Sequence, residues 1–210
     1  MHEQHSDEWF AARLGKATAS KIVDVMAKSK RDGKPLAGRE NYATDLLLER
    51  LTGNRIEYFT NTAMQWGTDT EPQARAAYSF LEGRPVEETG FVDHPTIAMS
   101  GASPDGLVGD DGLVEIKCPN SSTHMATLEG AKIDRKYVLQ MQWQMACCER
   151  QWCDFVSFDP RFPQPMQLHV RRVERDDELI AEIEAEVTAF LADIAEREAR
   201  SRETYELENA

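Results

Sequence analysis

Two short β-rich runs, Gly106–Val108 and Leu113–Lys117, flank Asp110-Asp111-Gly112, and this arrangement limits the fold more than any other stretch of the chain. Asp-Gly is a tight-turn dipeptide, so the runs are expected to fold back on each other as an antiparallel hairpin. Side chains alternate along a strand, which sends Glu115 and Lys117 to one face, about 7 Å apart, and turns Ile116 to the other. The preceding strand brings Asp105, in Ser103-Pro104-Asp105-Gly106, back beside Glu115. Two carboxylates and an amine then converge on one side of a hairpin.

Hydrolysis of a phosphodiester calls for such a set. It needs a hard cation to neutralise non-bridging oxygens, a water of lowered pKa and stabilisation of the leaving oxyanion. Asp105 and Glu115 suit the cation, and the Ile116 carbonyl can add an oxygen ligand. Lys117 is placed to hold the water and favour its hydroxide form, its own pKa lowered by nearby metal charge. A Glu-x-Lys tripeptide alone reads as an exposed ion pair worth at most about 1 kcal/mol. The Pro-Asp partner at hairpin spacing brings the two readings level, and more residues are needed to choose between them. Oxygen donors of this kind accept Mg²⁺ and Mn²⁺ alike.

Around the hairpin, patterning predicts helices over Asp7 to Leu14, Thr18 to Met26 with Thr18 as its cap, Arg39 to Leu51, and Asn61 to Leu81. Strands over Glu88 to Asp93 and Ile97 to Ser100 are expected to join the hairpin as a meander. Helices follow near Ser122 to Gly130 and over Asp134 to Glu149, the latter with Val138, Met141, Met145 and Ala146 inward. Strands near Trp152 to Phe158 and Gln167 to Val173 precede a final amphipathic helix, about 176 to 201, with Leu179, Ile183, Val187, Phe190, Leu191 and Ile194 along one face. Helices and strands alternate as in an α/β protein, and no linker divides the 210 residues, so one domain is expected over 1–210.

The net charge of -13 argues at first against a polyanionic partner, but its distribution matters more than its sum. From Glu174 to Ala210 there are 13 acidic and 4 basic residues, whereas Lys16 to Arg39 holds Lys16, Lys21, Lys28, Lys30, Arg31, Lys34 and Arg39 against only Asp24 and Asp32. A basic stretch beside an acidic metal pocket suits a metal nuclease. Cys118, Cys147, Cys148 and Cys153 have no zinc spacing and read as ordinary thiols. No apolar run reaches the roughly 18 residues of a membrane span, and the first residues are polar, so a cytoplasmic protein without membrane contact is expected.

Six motifs occur in order. They are Trp9-x3-Arg13-Leu14-Gly15-x2-Thr18-Ala19-Ser20, Trp66-Gly67-x3-Glu71-Pro72-x-Ala74-Arg75, Ser103-Pro104-Asp105-Gly106-Leu107, Glu115-Ile116-Lys117-Cys118-Pro119, Tyr137-x2-Gln140-Met141-Gln142 and Phe158-Asp159-Pro160-Arg161. Together they resemble the phage lambda exonuclease family of YqaJ-type viral recombinases, within the PD-(D/E)xK nuclease superfamily. The resemblance implies a restriction-endonuclease-like α/β core, a central mixed sheet flanked by helices.

It further implies a deoxyribonuclease that digests one strand of double-stranded DNA from its 5′ end by two-metal phosphodiester hydrolysis, leaving a 3′ strand for recombination by annealing. Glu71 would reach the metal site to join Asp105, Glu115 and the Ile116 carbonyl around Mg²⁺. Lys117 and Gln140 would orient the water, with Tyr137 beside the scissile phosphate. Arg13, Ser20 and Ser103 match the family's 5′-phosphate pocket. A homotrimeric ring, a phage single-strand annealing protein as partner and a bacterial host cytoplasm are implied as well. In one departure, Asn120 to His124 lacks an arginine that relatives carry there, leaving His124 or Thr123 to substitute. The competing readings are a site-specific endonuclease on the same core and a catalytically inactive DNA-binding or assembly module.

Overall fold

The hairpin forms as expected, and the rest of the sheet is built outward from it. A computed structural model describes residues 4–29, 31–56 and 61–205; Lys30 and residues 206–210 of the acidic tail lie outside them. Strand β5 (Gly106–Val108) pairs antiparallel with β6 (Gly112–Lys117), with Gly106 opposite Val114 and Val108 opposite Gly112. Gly112 is required where β6 begins, because a Cβ there would fall 2.2 Å from the Trp152 ring. On its other side β6 pairs in parallel with β7 (Trp152–Phe158), and β7 pairs antiparallel with β8 (Leu168–Glu174). With β2 (Val86–Glu87) at the opposite edge, the five-stranded sheet runs β2-β5-β6-β7-β8 and is mixed.

The expected meander does not form. β3 (Val92–Asp93) and β4 (Ser100–Ala102) leave the hairpin's sheet and pair with each other and with β1 (Ala17–Thr18), in the order β1-β4-β3. This also overturns the helix expected from Thr18. Thr18 is drawn into strand pairing with Gly101, its side chain makes no capping hydrogen bond, and only a 3₁₀ turn (Ala19–Lys21) and one helical turn, α2 (Ile22–Val25), follow.

The other helices stand close to their expected bounds: α1 (Asp7–Arg13), α3 (Ala37–Thr52), α4 (Thr62–Glu82), α5 (Ser121–Leu128), α6 (Arg135–Cys148) and α7 (Asp177–Thr204). Asn61 caps α4 by accepting from the Met64 N–H, and α3 ends where Gly53 adopts a left-handed φ of 67°.

These helices enclose the sheet in layers. On one face of β6, Val114 and Ile116 pack with Ala74 and Tyr78 of α4; on the other, Leu113 packs with Met141 and Met145 of α6. Because α6 connects the parallel strands β6 and β7, it runs back across the face that carries Glu115 and Lys117. Its far side joins a second core with Ile22 and Val25 of α2, Tyr42 and Leu46 of α3, and Ile183, Val187 and Phe190 of α7. Leu139 and Met141 to Cys147 are therefore buried on successive sides of the helix, not along the single stripe expected, while Val138 and Gln140 are only half-buried. In α7 the buried face is Ile180, Ile183, Val187, Phe190, Leu191 and Ile194, with Leu179 at its margin.

Candidate active site

Asp105 sits immediately before β5, and its Oδ2 accepts a 2.6 Å hydrogen bond from the backbone N–H of Ile116. That bond bolts the carboxylate to the neighbouring strand. Glu115 is fully buried. Its Oε1 accepts from Gln140 Nε2 at 2.7 Å and is in contact with Lys117 Nζ, and its Oε2 accepts from Gln144 Nε2 at 2.6 Å. Both amides come from one face of α6, a turn apart. The Tyr137 ring, one turn earlier, lies 5.1 Å from Lys117 Nζ and tilts against Phe155 at 5.8 Å.

Glu71 enters from α4. Its Oε1 accepts from Arg75 Nη2 at 2.5 Å, while the Arg75 Nε donates to the Asp105 carbonyl at 3.2 Å, so one guanidinium ties α4 to the hairpin. Arg75 also reaches Glu88 at 3.0 Å.

The electrostatics treat these groups as one cluster. Burial pushes the Asp105 carboxyl well above its ordinary range, and the charges of Glu115 and Glu71 add to that, against an opposing contribution from Lys117. Glu71 is raised by burial too, with Arg75 and Lys117 opposing. Burial alone would lower Lys117, but the Glu115 and Asp105 carboxylates outweigh it and hold the ammonium above its usual range. In the protein alone Lys117 is thus firmly cationic, and the lowering expected for it requires added positive charge nearby.

Three carboxylates therefore share a desolvated place with Lys117 and Arg75, a crowd of hard oxygen donors whose joint ionisation burial and mutual repulsion oppose. That composition fits a divalent cation. Among the described residues, no three His, Cys, Asp or Glu side chains already converge as a metal cage; Glu71 is turned to Arg75 and both Glu115 oxygens are held by amides.

A second cluster lies at the N-terminal end. Arg13 Nη1 and Trp9 Nε1 both donate to Ser103 Oγ, at 3.1 and 2.9 Å, and the Arg13 guanidinium lies 4.1 Å over the Trp9 ring. Burial brings Arg13 down to about 10, which leaves it cationic at neutral pH. Ser103 adjoins Pro104, whose carbonyl accepts from Gln4 Nε2 at 2.8 Å, so this cluster and Asp105 share one loop. Ser20 is exposed on the 3₁₀ turn, and no hydrogen bond joins it to Arg13 or Ser103.

Two expectations are corrected. His124 cannot stand in for the missing arginine, because it is fully buried, with Nδ1 2.8 Å from Ser157 Oγ and Nε2 2.8 Å from the Met166 carbonyl. Nor do Lys16, Lys28 and Arg39 of the basic stretch gather at the carboxylates. Lys16 pairs with Asp93 at 2.6 Å, while Lys28 and the buried Arg39 pair with Glu186 of α7 at 2.5 and 3.4 Å. Arg161, quoted in the sixth motif without a role, has its guanidinium 4.5 Å over the Trp66 ring and is held by the buried Asp159. Gln144 was passed over, although its i,i+4 spacing from Gln140 was visible.

A profile of the YqaJ-like viral recombinase domain matches residues 8–151. The structure of LHK-Exo in complex with dAMP is 54% identical in sequence and superposes with a TM-score of 0.88, over 95% of this chain and 98% of that one. An alkaline exonuclease (LHK-Exo) from Laribacter hongkongensis is 55% identical, with a TM-score of 0.87 over 97% and 100% of the two chains. A phage-related exonuclease from Haemophilus somnus, 18% identical with a TM-score of 0.69 over 89% and 96%, shares the fold. An uncharacterized Acanthamoeba polyphaga mimivirus protein, R354, is 28% identical over 168 residues; these are 74% of this chain but span only 29% of that protein. The mixed α/β core is the PD-(D/E)xK-like fold expected.

Proposed function

This chain belongs to the YqaJ-like viral recombinase family, and from that premise we propose that it is a metal-dependent exonuclease that digests one strand of duplex DNA from the 5′ end. The observation that carries the reading is geometric: at the hairpin Asp105 is bonded to the Ile116 N–H, the buried Glu115 is held against Lys117 by Gln140 and Gln144, and Glu71 is tied through Arg75 to the Asp105 carbonyl. LHK-Exo, the relative at about 55% identity, is an alkaline exonuclease, in agreement with this reading.

Asp105, Glu115 and the Ile116 carbonyl would hold Mg²⁺, with Glu71 joining once released from Arg75; Mn²⁺ suits the same donors. Bound cations would supply charge for the phosphate oxygens and lower the pKa of the attacking water. Lys117 would hold that water by its ammonium protons, and Gln140 would keep Glu115 in place while lining the water's approach. Tyr137 would stand beside the scissile phosphate. Arg13 and Ser103, with Ser20 at the rim, would receive the terminal 5′-phosphate, since a guanidinium and hydroxyls are suited to phosphate oxygens. A homotrimer around DNA, an annealing-protein partner and a role in phage recombination belong to the same proposal. Among the described residues, no helix is long and apolar enough to cross a membrane.

The test is digestion of linear duplex labelled at either end, beside closed circular plasmid, in Mg²⁺ or EDTA. Ordered release from 5′ ends in Mg²⁺ only, with circles untouched, is the expected result. Discrete fragments from circles would favour an endonuclease. Lys117→Ala and Asp105→Asn are each expected to lose at least about a hundredfold in rate; wild-type rates in both would defeat the mechanism.

A further inference from the structure

We infer that Gln144 is a positioning residue, the clamp that fixes which way the buried Glu115 carboxylate faces. The inference rests on the proposed metal role of Glu115 and adds a residue outside the six motifs that carry the family resemblance.

The two oxygens of Glu115 are held differently. Oε1 is shared by Gln140 and Lys117 at the half-buried edge of the cluster, whereas Oε2 accepts from Gln144 Nε2 alone. Gln144 is itself fully buried. Its neighbours on α6, Met141 and Met145, pack with Leu113, Cys153 and Phe155 in an apolar core. An ionised oxygen facing that core without a donor is costly, so without Gln144 the carboxylate would swing to find one.

Packing does not account for a glutamine at this place. Its Oε1 is buried without a hydrogen-bond partner, a cost that methionine or leucine would avoid in the same volume. The amide is retained against that cost, and what it provides is the 2.6 Å bond to Glu115. Gln140 and Gln144 thus grip one carboxylate from two positions a helical turn apart. They hold its rotation, which is how supporting hydrogen bonds tune a metal ligand.

Gln144→Met keeps the side-chain volume and removes the donor. In the full-length protein, calorimetric titration with Mg²⁺ should show affinity weakened 10- to 100-fold. Equal Mg²⁺ affinity in a folded Gln144→Met protein would overturn the inference. Should that variant fail to fold, the wild-type protein answers instead: the side-chain NH₂ resonances of Gln144 should shift during the Mg²⁺ titration with the same midpoint as binding, and resonances that stay put would overturn it. Wild-type protein that binds no Mg²⁺ would defeat the metal reading itself and this inference with it, whereas tight wild-type binding with an unaffected variant defeats the inference alone.

Discussion

At the scale of single residues, the site divides into what alternation reveals and what only the folded chain brings together. Asp105, Glu115 and Lys117 were legible because a turn and a period of two determine where their side chains point. Gln144 was not, because a glutamine in a helical pattern reads as solvent-facing unless both sides of the helix are known to be covered. Arg13 and Ser103 lie 90 residues apart, and only the family resemblance connected them. Their shared hydrogen bond, with Trp9 as the second donor to the same hydroxyl, makes this pair the core of the proposed phosphate site. Arg13→Ala should therefore lose more activity on 5′-phosphorylated than on 5′-hydroxyl ends, measured as initial digestion rates on matched duplexes. Equal losses would show that Arg13 serves the fold and not the phosphate. Because Ser20 bonds to neither partner, Ser20→Ala should cost much less.

At the scale of elements, bounds were legible wherever local chemistry set them, as with the Asn61 cap and the Gly53 terminus. Thr18 to Met26 failed because a long-range partner prevailed: the Ala17 N–H bonds the Met99 carbonyl, and β1 joins β4, pairing that no local propensity encodes. The same pairing drew β3 and β4 out of the expected meander. The end of β7 shows an element tied down by one buried charge. Asp159 accepts from Ser121 Oγ at the start of α5 and from Arg161 Nε and Nη2. Burial pushes its carboxyl up, but these hydrogen bonds prevail and hold it at about 2, below the ordinary 3.8. A depressed folded pKa means the stabilisation is complete above the ordinary value and is lost as pH falls toward about 2. Asp159→Asn should thus cost about 2 kcal/mol at neutral pH in urea unfolding, and the gap from wild type should narrow between pH 4 and 2. A constant gap across that range would count against the assignment.

At the scale of the whole molecule, part of the charge on the acidic helix α7 is an internal counterweight, while Glu178, Glu182 and Glu196 face outward. Its Glu186 pairs with both Lys28 and Arg39, and Glu198 faces Arg50 at 3.9 Å. The charge count in the sequence was correct; where those charges meet depends on packing that composition does not contain. The apolar side of α7 closes the second core, and Ile183 at its centre is fully buried. Ile183→Ala should lower stability by about 3 kcal/mol, read as an earlier midpoint of thermal or urea unfolding. Since Ile183 packs against the far side of α6 and touches no carboxylate of the cluster, the rate per folded molecule should hold well below that midpoint.

The parallel pairing of β6 with β7 has a consequence for how the chain is made. The carboxylates and lysine are translated by residue 117, yet the helix that grips Glu115 and the strand that flanks β6 come from 135–158. A ribosome must therefore release some forty further residues before the site can close. Until then the emerging polypeptide carries the proposed cutting residues without the means to align them, and on that proposal a chain truncated before β7 should leave DNA uncut.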